Sequence, residues 1–128
     1  MDVFKTTGAF SWAELTTSDP AAAAVFYGEL FGWTVAPPDP AMGGYRVVKI
    51  GEIGIAGITG PMPGAPAVPP HWGSYITVPD ADHTAQRCSA LGGKVLAAPF
   101  DIPNVGKMTV LQDPQGAVLS AIAYSMPA

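Results

Sequence analysis

The sequence has little charge, few metal-binding side chains and one cysteine, and each shortage excludes a class of protein. Only 12% of the 128 residues are charged, and six bases against ten acids give a formal net charge of −4. The bases are scattered singly, so the basic stripe that is typical of nucleic-acid binders is missing. Cys88 is the single cysteine, which excludes an internal disulfide and is typical of reducing compartments.

The sequence also lacks an N-terminal apolar stretch with the charge and length of a signal peptide or membrane span. We therefore expect a cytoplasmic protein without a membrane partner. Hydrophobic residues make up 48% of the chain, which is typical of a globular protein. Low charge on a small domain favours an apolar surface that a partner subunit covers, so we expect a homodimer.

What the sequence does contain is an internal repeat with an offset of about 61 residues, the separation of Asp19 and Asp80. Each half predicts a strand, a helix and three more strands. The first strands are predicted at 10–17 and 72–78. The first helix is predicted to begin at Asp19 and the second at Asp80 or Asp82, since aspartate is a favoured N-cap residue. Gly32 ends the first helix and Gly92-Gly93 the second. The later strands are predicted at 33–37, 45–50, 53–59, 94–98, 107–112 and 117–124.

Helical spacing predicts an apolar stripe on each helix that faces the core. The predicted stripes are Ala23, Phe26, Tyr27 and Leu30 on the first helix, and Ala81, Ala85, Cys88 and Leu91 on the second. Cys88 is thereby interpreted as a core residue. The segments 36–44 and 98–106 are predicted to be matching loops, and the proline-rich segment 60–70 a packed, extended linker.

Two βαβββ modules in tandem resemble the vicinal oxygen chelate superfamily, which includes glyoxalase I, extradiol dioxygenases and bleomycin-resistance proteins. The resemblance rests on DPAAAAVFYGELFGW (19–33), the helix between Asp80 and Gly93, and the DPQGA turn (113–117). It implies one α+β domain, 1–128, with module one at about 8–60 and module two at about 71–125. The two modules are expected to form a cup-shaped mixed β-sheet with flanking helices.

Metal-dependent members of that superfamily place His, Glu or Gln ligands at four matching points. The resemblance puts these points at Trp12, Gly73, Ser120 and near Ile58, with Gly57 and Thr59 as neighbouring candidates. None of these residues is a competent ligand for a divalent metal. We therefore expect no metal and no cofactor, and a displaced metal site built from Glu14 and His71 is the alternative.

The inward face of the implied cup is expected to bind a small molecule. Gly73 would leave space, and Trp12 would offer a flat apolar wall. The predicted ligand-binding residues are Trp12, Glu14, His71, Gly73, Tyr75 and Ser120. The alternative is that the aromatic residues simply fill the cup as core, while Glu14 pairs with Arg46 or Lys49 or reaches solvent. Phe26, Tyr27, Phe31, Trp33 and Trp72 are interpreted as structural.

The sequence therefore predicts a metal-free protein, similar to glyoxalases and bleomycin-resistance proteins, that binds a small planar or cationic organic molecule. A second hypothesis is a metal-independent lyase, isomerase or cyclase with Glu14 as general acid or base and Tyr75 or Ser120 assisting. Further alternatives are a metal-dependent glyoxalase-like enzyme with displaced ligands and a domain that mainly docks on another protein. Whether the protein is an enzyme stays open at this point.

Overall fold

The computed structural model describes residues 1–61 and 68–125. It confirms the mixed α+β class and the repeated order of strand, helix and three strands. The first repeat consists of β1 (Phe10–Thr16), α1 (Pro20–Phe31), β2 (Thr34–Val35), β3 (Arg46–Ile50) and β4 (Ile53–Thr59). The second consists of β5 (His71–Thr77), α2 (Ala81–Ala90), β6 (Lys94–Ile102), β7 (Gly106–Gln112) and β8 (Val118–Tyr124).

Both helices begin and end where the sequence signals predict. The Asp19 carboxylate accepts a hydrogen bond from the Ala22 amide at 3.0 Å, and Asp80 accepts one from the His83 amide at 3.0 Å. Gly32 follows α1 with a left-handed φ of 72°, a conformation that glycine adopts without steric cost. These caps satisfy backbone groups that a helix end leaves without intrahelical partners.

Residues Trp12–Gly73 form one compact unit, called here the module-one unit. Its strands lie in the order β2-β3-β4-β1, with β1 parallel to β4 and the other pairs antiparallel. One sheet face packs on α1 through a core of Leu15, Val48, Ala56 and Ile58. Because side chains alternate along a strand, Trp12 and Glu14 lie on the opposite face of β1 from Leu15.

The module-two unit contains Met1–Ser11 and the chain from Ser74 onward. Its strands lie in the order β5-β8-β7-β6, with β5 parallel to β8 and the other pairs antiparallel. The N-terminal segment pairs with the end of β5, since Gly8 donates to the Thr77 carbonyl at 2.8 Å and Thr77 donates to the Ala9 carbonyl at 2.9 Å. Its buried apolar residues are Ala81, Ala85, Met108, Leu111, Ala121 and Ile122.

The predicted helical stripes are wrong in part. On α1, Ala23 and Tyr27 pack on the core, whereas Phe26 and Leu30 are 59% and 57% exposed. The small alanines let the helix approach the sheet along a narrow strip, which leaves the larger side chains outside. On α2, Ala81 and Ala85 are buried and Cys88 is half-buried, but Leu91 lies past the end of the helix and is exposed.

The loop predicted at 98–106 is also wrong, because β6 continues to Ile102. Pro99 lies inside this strand, although proline is disfavoured in strands in the middle of a sheet because it lacks an N–H donor. β6 pairs with β7 alone in its unit, and its register shifts between Ala97 and Phe100. An edge strand with a bulge tolerates the missing N–H.

Three predictions on domain organisation remain predictions. The cup shape and the single-domain boundaries (about 8–60 and 71–125) stay as expected from the resemblance. The proline-rich linker falls largely on residues 62–67, outside the described residues. Within the described chain, neither helix has the length and apolar character needed to cross a membrane.

Candidate functional site

The first of the predicted metal-ligand points is part of a hydrogen-bonded aromatic pair. The indole N–H of Trp12 donates to the hydroxyl of Tyr45 with 2.7 Å between Nε1 and Oη, a short distance for an N–H···O bond. Both side chains are half-buried. The sequence analysis missed Tyr45, which lies just before β3 and 33 residues from Trp12.

Two glycines of β4 lie next to this pair, and one of them, Gly57, leaves the space that Tyr45 occupies. A Cβ on Gly57 would overlap the Tyr45 hydroxyl, and a Cβ on Gly54 would lie 3.5 Å from the Trp12 ring. Gly57 is also the register partner of Glu14 in the parallel β1–β4 pair. Of the candidates for the fourth ligand point, Gly57 and Thr59 therefore face the Trp12 side, whereas Ile58 is fully buried in the core.

Glu14 is half-buried and lies two residues along β1 from Trp12, on the same face. Its register partner Gly57 has no side chain. A Cβ on Gly73 would lie 3.9 Å from the Glu14 carbonyl oxygen, an ordinary contact distance. The backbone of Glu14 thus lies beside two glycines, on the strand face that carries Trp12.

His71 is the first residue of β5 and shares a strand face with Gly73, as predicted. Its ring is exposed, and Nδ1 lies 2.9 Å from the Pro69 carbonyl oxygen. Among residues 1–61 and 68–125, no three His, Cys, Asp or Glu side chains form a group that could hold a metal ion. The displaced site built from Glu14 and His71 therefore gains no third ligand there.

The other two predicted site residues meet in the module-two unit. Tyr75 and Ser120 are directly opposite each other in the parallel β5–β8 pair, so their side chains share one face. The Tyr75 hydroxyl donates to the Met108 sulfur at 3.7 Å, and a thioether is a weak acceptor. Tyr75 therefore packs against the buried Met108 of β7 and lies next to Ser120.

A second feature that the sequence analysis missed is the contact between the N-terminal segment and β8. The Tyr124 hydroxyl lies 2.7 Å from Ser11 Oγ. The Tyr124 and Phe4 rings form a T-shaped pair with 5.2 Å between their centroids. Thr77 donates to the Val3 carbonyl at 2.6 Å. Burial raises the pKa of Tyr124, and the hydrogen bond with Ser11 opposes that shift.

Two small cavities lie among the described residues of the module-two unit. The larger, of about 270 Å³, lies beside the N-terminal segment and is lined by Phe4, Lys5, Thr7, Thr77, Val78, Pro79 and Tyr124. The other, of about 200 Å³, is lined by Ile76, Val78, Thr84, Leu111, Leu119, Ser120 and Ala121. Both volumes lie below the roughly 300–1,000 Å³ of typical ligand pockets.

Residues 9–120 match the family model of the Glyoxalase/Bleomycin resistance protein/Dioxygenase superfamily. The chain is 46% identical over 118 residues to "Putative glyoxylase CFP32" of Mycobacterium bovis, covering 91% of this chain and 44% of the relative. It is 33% identical over 126 residues to "Anthracycline biosynthesis protein DnrV" of Streptomyces peucetius, covering 88% of this chain and 46% of the relative. The chain thus spans about half the length of these curated relatives.

Among solved structures, the chain is similar to methylmalonyl-CoA epimerase from Mycobacterium tuberculosis, with a TM-score of 0.65 and 12% identity. The similarity covers 94% of this chain and 91% of that structure. At this identity the match concerns the fold alone, because one fold hosts many chemistries.

The residues at the four ligand points do not fit the divalent metal that some members of this fold use. Trp12 offers an N–H donor that is already bonded to Tyr45. Gly57 and Gly73 have no side chain, and Thr59 and Ser120 each offer only a neutral hydroxyl. Divalent metals in this kind of site need His, Glu or Gln donors at several of these positions, so no reaction step through a metal follows from this set.

Proposed function

This chain belongs to the Glyoxalase/Bleomycin resistance protein/Dioxygenase superfamily, and from that premise we propose that it binds a small, planar organic molecule without a metal. The ligand would lie against the Trp12–Tyr45 pair, with Glu14 as the group that recognises a positive charge. The observation that supports the proposal most directly is the hydrogen bond between Trp12 and Tyr45, at the first of the ligand points that the resemblance implies.

The aromatic pair suits a flat ligand for a physical reason. The hydrogen bond fixes the orientation of both rings before a ligand arrives, which lowers the entropy that binding must remove. Small-molecule sites combine apolar aromatic walls with a few polar groups that set orientation. Glu14 supplies such a group on the Trp12 face.

The relative named for anthracycline biosynthesis supports the choice of ligand class. Anthracyclines are fused-ring compounds, so a planar polycyclic molecule is the ligand that we propose for the Trp12 wall. Tyr75 and Ser120 form a second polar pair, in the module-two unit, and we propose that they also contact a ligand. His71 and Gly73 complete the proposed residues in the module-one unit.

Calorimetric titration with two matched probes tests the proposal. 9-Aminoacridine is a planar cation at neutral pH, and acridine is its neutral counterpart. We expect the wild type to bind both, and Trp12→Ala to weaken both by roughly tenfold, the change for about 1.4 kcal/mol of lost aromatic contact. Glu14→Gln should weaken 9-aminoacridine alone.

A control variant is Leu96→Ala, which removes an exposed apolar side chain of β6 in the other unit. It should leave both affinities unchanged. If neither probe binds the wild type, or if Trp12→Ala binds them as the wild type does, the proposed site is wrong.

A second candidate is a metal-independent lyase, isomerase or cyclase, which the half-buried position of Glu14 beside Trp12 favours. In such an enzyme Glu14 would move a proton, with Tyr75 assisting. Glu14→Gln would then reduce turnover by about 10²–10⁴-fold while acridine binding stays intact. A binding protein would show only the loss of affinity for the cation.

A homodimer and a cytoplasmic location complete the proposal. The sparse charge of the chain supports a covered apolar surface, and the single cysteine suits a reducing compartment. No nucleic-acid partner is proposed, because the bases form no stripe.

A further inference from the structure

The smaller cavity of the module-two unit, which we call the α2 cavity, lies between helix α2 and the sheet. Its volume is about 200 Å³. Helix α2 packs on β6, β7 and β8, and the cavity lies beside it, over β8 and β5. All seven lining residues belong to the module-two unit: Ile76, Val78, Thr84, Leu111, Leu119, Ser120 and Ala121.

The α2 cavity lies on the opposite side of the sheet from the Ser120 hydroxyl. Ile76 and Ala121 are register partners on β5 and β8, and Leu111 and Leu119 are partners on β7 and β8. Because side chains alternate along a strand, these four side chains share the face that α2 covers. Alternation directs the Ser120 hydroxyl to the other face, so the cavity is separate from the polar pair described above.

Small side chains on both sides account for the unfilled space. Ala81 and Ala85 of α2 and Ala121 of β8 are all buried. Where alanines of a helix meet an alanine of the sheet, no long side chain is available to fill a gap beside them. Voids larger than a water molecule are few in protein interiors, so a cavity of this size is a distinct feature of this unit.

The wall of the α2 cavity offers little to a water molecule. Thr84 is the one lining residue with a hydroxyl on this side, and that hydroxyl donates to the Asp80 carbonyl at 2.8 Å. β8 lies between β5 and β7, so its backbone is paired on both sides. An ordered water needs two to four polar partners, whereas an apolar cavity of about 150 Å³ stays dry and takes up benzene. The wall therefore favours an apolar molecule over water.

A ligand can reach the cavity without unfolding of the chain. Leu111 and Ala121 are buried and form the floor. The residues at the mouth are half-buried, which leaves part of each in contact with solvent: Ile76, Val78, Thr84 and Leu119.

We propose that the α2 cavity binds a neutral, single-ring aromatic molecule. The inference goes beyond the proposed function and does not depend on it, because it concerns a different site in the other unit. The volume sets the size of the ligand, since about 200 Å³ exceeds what benzene needs and is too small for a typical drug-sized ligand. The lining sets its class. None of the seven lining residues is charged, so an ion would lose its hydration without gaining a partner.

NMR titration of the 128-residue chain with labelled Ile, Leu and Val methyl groups tests the proposal. Toluene is the probe, and phenol is its polar counterpart of similar size. We expect toluene to bind with a dissociation constant on the order of 1 mM, as suits a ligand of so few atoms. Phenol should bind at least about tenfold more weakly, because its hydroxyl finds no partner on this wall. The methyl signals that should shift with toluene are those of Ile76, Val78, Leu111 and Leu119.

Two substitutions fill the cavity from different elements. Thr84→Leu on α2 and Ile76→Phe on β5 should each weaken toluene binding by at least about tenfold, because the added atoms occupy the space of the ligand. Gln86→Leu is the matched control, since it adds an apolar side chain on the exposed side of α2, and it should leave the affinity unchanged. Circular dichroism and thermal unfolding establish that each variant is folded, and two positions are used so that misfolding of one leaves the other to decide.

Three outcomes would overturn the proposal: no saturable shift of the lining methyl groups in the wild type, unchanged toluene affinity in both filling variants, or phenol that binds as tightly as toluene. Trp12→Ala keeps the two proposals apart. It should weaken acridine binding and leave the toluene shifts of these methyl groups unchanged, so either site can fail while the other holds.

Discussion

At the scale of single residues, Gly57 has the most specific steric role in the proposed site. The Tyr45 hydroxyl lies where a Cβ of Gly57 would be, and the same hydroxyl accepts the hydrogen bond from Trp12. Any side chain at position 57 must therefore displace Tyr45. A substitution of Gly57 on β4 should thus change the environment of the Trp12 ring on β1.

We predict that Gly57→Ala lowers the free energy of unfolding by about 1–3 kcal/mol, the usual cost of overpacking. The displaced Tyr45 would also lose its hydrogen bond with Trp12, so tryptophan fluorescence should shift. Urea unfolding followed by circular dichroism measures the first effect. Gly73→Ala is the matched control, because its Cβ would meet the Glu14 carbonyl at an ordinary 3.9 Å. Equal stability of the two variants would contradict the steric argument.

The sequence places Trp12 and Glu14 on one strand face because alternation is a local property of a strand. The hydrogen-bond partner of Trp12 cannot be predicted in this way. Tyr45 is 33 residues away, and its contact depends on the β1–β4–β3 pairing and on Gly57, which leaves the space for its hydroxyl. The family resemblance names Gly57 only as a candidate ligand point, and no local pattern in a single sequence reveals its steric role or brings Tyr45 to Trp12.

At the scale of elements, the helix caps and the central strands follow from local signals, and the departures have tertiary causes. β6 extends past Pro99 because it lies at the edge of its unit's strands. Phe26 and Leu30 are exposed because alanines bring α1 close to the sheet. Residues 1–9 show no periodic pattern, yet they pair with β5 and contact Tyr124.

The contact between the N-terminal segment and β8 predicts a loss of stability at alkaline pH. Burial raises the folded-state pKa of Tyr124 above its ordinary value of 10.0. The unfolded chain therefore releases this proton first, so stability is complete below about pH 10 and falls as the pH rises through the folded-state pKa. The Tyr124→Phe variant should lose less stability than the wild type between about pH 8 and about pH 11.

Urea unfolding at the two pH values gives this difference, and each protein serves as its own reference. Tyr124→Phe also removes the hydrogen bond with Ser11, which should cost about 1 kcal/mol at both pH values and cancels in the comparison. An identical alkaline loss in the two proteins would show that Tyr124 has no part in it.

At the scale of the whole molecule, the shortage of metal-binding side chains agrees with the proposal of a site that works without a metal. Two histidines and one cysteine in 128 residues leave little from which to build a metal centre. Membership of the family predicts the fold. The chemistry depends on the residues at the ligand points, because one fold hosts many functions.

The last prediction follows from the donor set at those four points. A resident ion at 100 times its dissociation constant would add about 2.7 kcal/mol to the stability of the folded state. Trp12, Gly57, Gly73 and Ser120 offer no such ligand set, so dialysis against EDTA should leave both the urea midpoint and acridine affinity unchanged. Adding back zinc, nickel, cobalt or manganese should not raise the midpoint either. Metal analysis that finds one tightly bound ion per chain, lost in His71→Ala, would instead establish the displaced site with Glu14.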